Sequence, residues 1–194
     1  MYGWKLKAML FLGFDLAASD KRPSGYCILS SCDMSCKTGI VRRDDEILRL
    51  VLDVKPRVIA IDSPLSLAID GKPFRACDLE ARRRGFMVLP LNMPSMAKLT
   101  MRGIKLKNKL QELGFEVIEV FPTGAFKALN IPPPKRGFKE AMEGLKMLGL
   151  KLSNVKSVHE LDAAIAAYTA YKYVKGEVEL LGDPQEGIIA MPKH

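Results

Sequence analysis

The stretch Val58 to Pro64, VIAIDSP, decides the reading of this chain. Four apolar residues rich in β-branched side chains run into Asp62 and then into a Ser-Pro break. This is how a fully buried strand presents one carboxylate at its C-terminal end. A second run of the same design, AMLFLGFD, carries apolar residues from Ala8 to Phe14 and stops at Asp15. A third, FEVIEVFP, spans Phe115 to Pro122, with Glu119 inside it and proline as the stop. Strands that end in acids point to a site at the strand C-termini, where open α/β sheets place their ligands.

Length and composition frame that reading. A chain of 194 residues fits one domain with a good core, and 48% hydrophobic with 27% charged content is ordinary for a globular protein. Thirty basic against 22 acidic residues leave a net charge of +8, which favours an anionic substrate or a polyanion such as nucleic acid. The cysteines at 27, 32, 36 and 77 form no CxxC pair and no Cys/His cluster of zinc spacing, so reduced, inert thiols and a cytoplasmic location are expected. Lys5 and Lys7 before an apolar run imitate a signal peptide, but that run ends in Asp15, which suits a strand better. No stretch reaches the roughly 20 apolar residues that a membrane helix needs.

The remaining segments follow from their spacing. Residues 1 to 7 fit no periodic pattern and read as an extension. After the first strand, DKRPSG is a turn, GYCILSS a second strand, and roughly Ser35 to Val41 a weaker third. In DDEILRLVLDV, Ile47, Leu50, Val51 and Val54 recur at helical spacing, with Asp44, Asp45 and Glu46 in the first turn, where the helix dipole favours acids. Residues 63–94 read as an insertion, loop-like except for a short helix in FRACDLEARRRG that carries Arg75, Arg82, Arg83 and Arg84. Ser95 to Gly114 reads as an amphipathic helix capped by Ser95, with Lys98, Arg102, Lys105 and Lys109 along one side, a spacing able to track a phosphate backbone. Residues 132–137, PPPKRG, read as a stiff basic hinge, and Phe138 to Leu150 as a helix. The last helix opens on a capping box, Ser157 to Glu160, and its alanines leave it slim enough to lie close to a sheet. Gly182-Asp-Pro184 followed by GIIAMP suggests a terminal hairpin.

On that last helix His159 and Asp162 are three apart and share a face. Taken together, the chain shows an acid ending strand one, an acid ending the strand after a meander and helix, and an acid on a late small-residue helix. Clustered carboxylates repel unless a cation sits among them, and hard oxygen donors select Mg²⁺ or Mn²⁺.

This order of elements, with acids at these places, resembles the ribonuclease H-like superfamily of metal-dependent nucleases. The His159-x-x-Asp162 pair is similar to the third acidic motif of RuvC-type junction resolvases. The phrases GFDLA, AIDSPLS, RACDLEARRRG, VIEVFP and LDAAIAAYTA, in that order from Gly13 to Pro192, resemble the family of unknown function numbered 429, described as predicted nucleases of ribonuclease H fold. The resemblance implies a single three-layer α/β domain over 1–194: an antiparallel three-strand meander followed by parallel strands, with helices on both faces. It implies Asp15, Asp62 and Asp162 as metal ligands, His159 or Glu119 as auxiliaries, and phosphodiester hydrolysis of nucleic acid. Arg75, Arg82 to Arg84 and the helix stripe would then hold flanking phosphates. The same superfold hosts actin-like and sugar-kinase-like phosphotransferases and non-catalytic binders, so both stand as alternatives. A single domain of this length has no second lobe to close on ATP.

Overall fold

Two central strands, β1 (Leu10–Asp15) and β4 (Val58–Asp62), run parallel and side by side. They sit within an eight-stranded sheet of the computed structural model, which describes residues 8–193. The expected extension at residues 1–7 lies outside the described residues. β1 pairs antiparallel with β2 (Ser24–Ser30), and β2 with β3 (Ser35–Val41), which completes the meander. Beyond β4 come β5 (Val117–Val120), parallel to it, and then β8 (Gly187–Pro192), parallel to β5. A two-residue strand, β6 (Lys151–Leu152), extends the far edge beside β3. The terminal hairpin of β7 (Val178–Asp183) and β8 is thus part of the main sheet. The fold is ribonuclease H-like, a mixed sheet covered by helices on both faces.

Side-chain alternation along the two central strands sorts the core into two layers. Phe11, Val58 and Ala60 face α6 (Val158–Val174) and its companions α4 (Pro122–Ala128) and α5 (Phe138–Met147). Leu12, Phe14, Ile59 and Ile61 face the other way, onto α1 (Asp44–Val54) and α3 (Pro94–Glu112). The start of α3 differs from the sequence expectation. Pro94 occupies the first turn, where a residue without an N–H costs nothing, and Met93 rather than Ser95 is the cap.

The alanines of α6 do what their size permits. Ala163, Ala164, Ala166, Ala167 and Ala170 are all buried, and two strand glycines complete the approach. A Cβ on Gly13 would fall on the Ala163 carbonyl oxygen, and one on Gly25 on the His159 carbonyl. At its N-terminus Ser157 Oγ accepts from the Glu160 amide at 3.3 Å, as the capping box requires. The Glu160 carboxylate reaches back to the Lys156 amide at 3.0 Å and across to Thr38 Oγ1 at 2.9 Å, fixing where the helix starts over the sheet.

The segment 63–94 is less loop-like than its composition suggests. Its helix α2 (Ala76–Arg83) buries Cys77 and Ala81 against Leu181, Ile189 and Met191 of the terminal hairpin. Among the described residues, no helix is long and apolar enough to cross a membrane.

Candidate active site at the strand ends

Register alone brings the first two acids together. Asp15 and Asp62 are paired positions on adjacent parallel strands, about 4.8 Å apart across the ladder. Each lies two residues beyond a position packed on α6, Gly13 and Ala60, so both point into the α6 layer. Gly25, paired with Asp15 on β2, lets the first turn of α6 settle on the sheet there. His159 Nδ1 consequently lies 2.6 Å from Asp15 Oδ2, and Asp162 follows on the same helical face.

The electrostatics record how close the acids are. Burial, and then the charges of Asp15 and Asp162, raise the Asp62 carboxyl well above the usual carboxylate range. Burial followed by Asp15 pushes Asp162 up to about 7, with Lys135 and His159 opposing. No hydrogen-bond donor among the described residues eases either group; the relief comes from charge, chiefly Lys135. Crowded carboxylate oxygens without N–H donors are the donor set that suits a hard divalent cation.

Glu119 adds its charge to the field at Asp62 but leaves the sheet on the other side. It is paired with Ile61, one position out of phase with Asp62, and therefore points to the opposite face. There it meets Arg75, which is 1% exposed. The guanidinium donates from Nη2 to Glu119 Oε1 at 2.6 Å and from Nη1 to Oε2 at 2.7 Å. It also donates to Asp78 from Nε at 3.0 Å and Nη2 at 2.9 Å. Burial pushes the Glu119 carboxyl up, and Arg75 opposes that shift. Cys77, Asp78 and Glu119 have ligand atoms within 4.8 Å of one another, but both carboxylates already accept from Arg75, which supplies the positive charge a metal would bring. Glu119, expected beside the metal ligands, and Arg75, expected on the substrate, are thus joined in a buried ion pair. Glu119 Oε2 also accepts from the Leu65 amide at 2.7 Å, which fastens the loop leaving Asp62.

Arg102, expected along the cationic side of α3, is turned inward and largely buried. Its guanidinium donates to Asp44, to the Ala17 carbonyl at 2.7 Å and to the Arg42 carbonyl at 2.7 Å, and so secures the chain just past Asp15. Lys98, Lys105 and Lys109 remain exposed, Lys109 beside Glu112 at 3.2 Å. Arg82 lies over the Phe74 ring, Arg83 is exposed, and Arg84 is paired with Glu80 and Glu179. Lys135, read from sequence only as part of a basic hinge, is the cation that faces Asp62 and Asp162. Its only signal was a lysine directly after three prolines, a stiff presentation of one charge.

The family described as "Protein of unknown function (DUF429)" matches residues 13–187. The chain is a DUF429 protein. Among curated proteins, none matches it by sequence. Among solved structures, the DUF429 protein is similar in fold to Thermus thermophilus RuvC in complex with a Holliday junction substrate. The TM-score is 0.53 at 15% identity, covering 87% of this chain and 97% of that one. A second Thermus thermophilus RuvC structure gives a TM-score of 0.52 at 15% identity with the same coverage. At this identity the likeness establishes a shared fold.

The close approach of α6 carries a prediction for the DUF429 protein. Gly25→Ala places a methyl on the His159 carbonyl, so the first turn of α6 must lift. Overpacking of this kind costs about 1–3 kcal/mol. The expected sign is a weakened His159–Asp15 contact, read as a shift of the His159 ring resonances, in a chain that still folds. Unchanged His159 resonances in a folded variant would mean the glycine does not position the helix.

Proposed function

We propose that this protein hydrolyses phosphodiester bonds of nucleic acid at Asp15, Asp62 and Asp162, with Mg²⁺ or Mn²⁺ held by these carboxylates. The observation that supports the reading is that the acids of β1, β4 and α6 lie within one another's electrostatic field at the strand ends, with Asp15 and Asp62 side by side in register. Support for the partner class comes from the shared fold of a protein whose structure holds a Holliday junction, and from the net charge of +8. Metal ions bound here would polarise the scissile phosphate and lower the pKa of an attacking water. The protein's own residues supply the rest. His159 orients Asp15 through Nδ1, and Lys135 offsets the negative field that would otherwise repel a phosphate. Lys98, Lys105, Arg82 and Arg83 hold flanking phosphates, which positions a strand without reading its sequence.

The test begins with the protein free of metal. The folded Asp162 carboxyl titrates near 7, while in the unfolded chain it titrates near the usual 3.9. The folded state therefore binds this proton more tightly. Its stabilising contribution is complete below about pH 4 and lost as pH rises toward 7. Between pH 4 and 8 the wild type should lose about 2–4 kcal/mol relative to Asp162→Asn. Millimolar Mn²⁺ should restore the wild type alone, and cleavage of nucleic acid should appear with it. Parallel pH profiles for the two proteins, unmoved by Mn²⁺, would remove the basis for this function.

A further inference from the structure

Beside the acids runs a segment with no charge. From Phe86 to Ala97 the chain reads FMVLPLNMPSMA, twelve residues without one charged side chain in a protein that is 27% charged. It is fastened from below. Phe86 packs edge-on against Phe121 at 6.0 Å, Val88 joins the core under α2, and the buried Leu91 donates its amide to the Pro73 carbonyl at 2.7 Å. What it turns outward is apolar: Met87 is 86% exposed and Leu89 43%. These two, with Met96 and Phe121, line a cleft whose charged members are Asp62, Lys135 and the ion-paired Arg75, Asp78 and Glu119.

An apolar wall gathered beside a carboxylate and a lysine has the make-up of a binding surface. The covering group must offer a flat apolar surface within reach of a phosphate. In a paired duplex the base faces are stacked on one another, leaving edges and phosphates for a protein to touch. An unpaired nucleotide leaves its face free, and methionine and leucine suit that face, because thioether sulfur packs well on aromatic rings and such side chains wedge between unstacked bases.

We propose that the cleft between the Met87–Leu89 strap and Phe121 receives an unpaired nucleobase next to the phosphate engaged at Asp62, so that the substrate is single-stranded or locally unpaired nucleic acid. This rests on the nuclease reading above and narrows it. Met87 and Leu89 are specificity residues; neither is needed for folding or for the carboxylate site.

The experiment uses the full chain with Ca²⁺, and oligonucleotides carrying 2-aminopurine: a single strand, the same sequence as a complete duplex, and a duplex with an unpaired loop. The wild type should bind the single strand and the looped duplex on the order of tenfold more tightly than the duplex, with a change in 2-aminopurine emission on binding. Met87→Gln with Leu89→Gln should lose that preference and the emission change while keeping its duplex affinity and melting temperature. Met87→Gln alone, at the more exposed position, should show part of the loss. Equal affinity of the wild type for all three probes overturns the proposal, as does a double variant that behaves like wild type. A strap that covers a second copy of the chain would show as a dimer dispersed by the double substitution, and that also overturns it. If the wild type cleaves duplex and single strand alike in Mn²⁺, only this inference falls. If it cleaves neither and Mn²⁺ leaves its stability unchanged, the nuclease reading falls with it.

Discussion

Asp62→Asn should raise the melting temperature of the metal-free protein at pH 8 by a few degrees and abolish metal-dependent cleavage. Asp62 is under pressure from its surroundings: half-buried at a strand end, beside Asp15 and within the field of Asp162. Its folded pKa lies above its unfolded value, so ionising it costs stability as pH rises past the ordinary carboxylate range. An amide of nearly the same volume removes that cost. The gain should be present at pH 8 and absent below about pH 4, where the wild-type carboxyl is protonated in both states. About 1 kcal/mol corresponds to roughly 2–4 °C in a chain of this size. The same change removes a hard ligand, so stabilisation by Mn²⁺ should vanish and cleavage fall on the order of 10³-fold or more. A structural aspartate held by a salt bridge would give the opposite sign, because its partner would be left buried and uncompensated. Melting curves with and without Mn²⁺, run beside cleavage of duplex, hybrid and branched substrates, measure all of this. Destabilisation by Asp62→Asn with no response to Mn²⁺ would remove Asp62 from the site, and a response to metal that needs ATP would move the protein to the phosphotransferases.

The parts of the fold and site that were legible are those set by local pattern. Apolar runs broken by Asp15 and Asp62 announce buried strands with acids at their ends, and the alanines around Asp162 announce a helix pressed onto a sheet. The relation among these elements came from resemblance, since sequence alone does not state that β1 and β4 are neighbours in register. Glu119 shows where local pattern ends. FEVIEVFP reads as a strand in either phase, and a slip of one residue decides whether its acid faces α6 or the opposite layer. Arg102 lies on the predicted helix side, yet its long side chain folds back to Asp44 and two carbonyls, contacts made by segments far away in sequence. Lys135 reaches the acids for a similar reason, from a segment between α4 and α5. The β5–β8 pairing joins residues some seventy apart, and no turn signal marks it.

The largest loss of stability is expected from Arg75→Met. As a surface contact for phosphate, Arg75 would be replaceable at little cost to folding; as the charge that neutralises Glu119 and Asp78 in the interior, it would not. The geometry favours the second. Its five side-chain hydrogen bonds are 2.6–3.0 Å long, four going to the two carboxylates and one to Ser66 Oγ. Removing one partner of such a pair leaves uncompensated buried charge and typically costs about 3–5 kcal/mol. That corresponds to a fall in melting temperature of about 10 °C. Arg75→Lys should recover little, because an ammonium cannot bridge two carboxylates with a planar fork. Adding Glu119→Gln to Arg75→Met should give back part of the loss, since the amide no longer needs the cation, so the two substitutions together cost less than their sum. The loop leaving Asp62 supplies a second readout. Glu119 holds the Leu65 amide and Lys107 Nζ donates to the Leu65 carbonyl at 2.7 Å, so loss of Arg75 should raise hydrogen exchange at Leu65 and Ser66 before it does so in β1 or β4. Arg75→Met that melts with the wild type but binds nucleic acid more weakly would return Arg75 to the substrate and overturn the structural assignment.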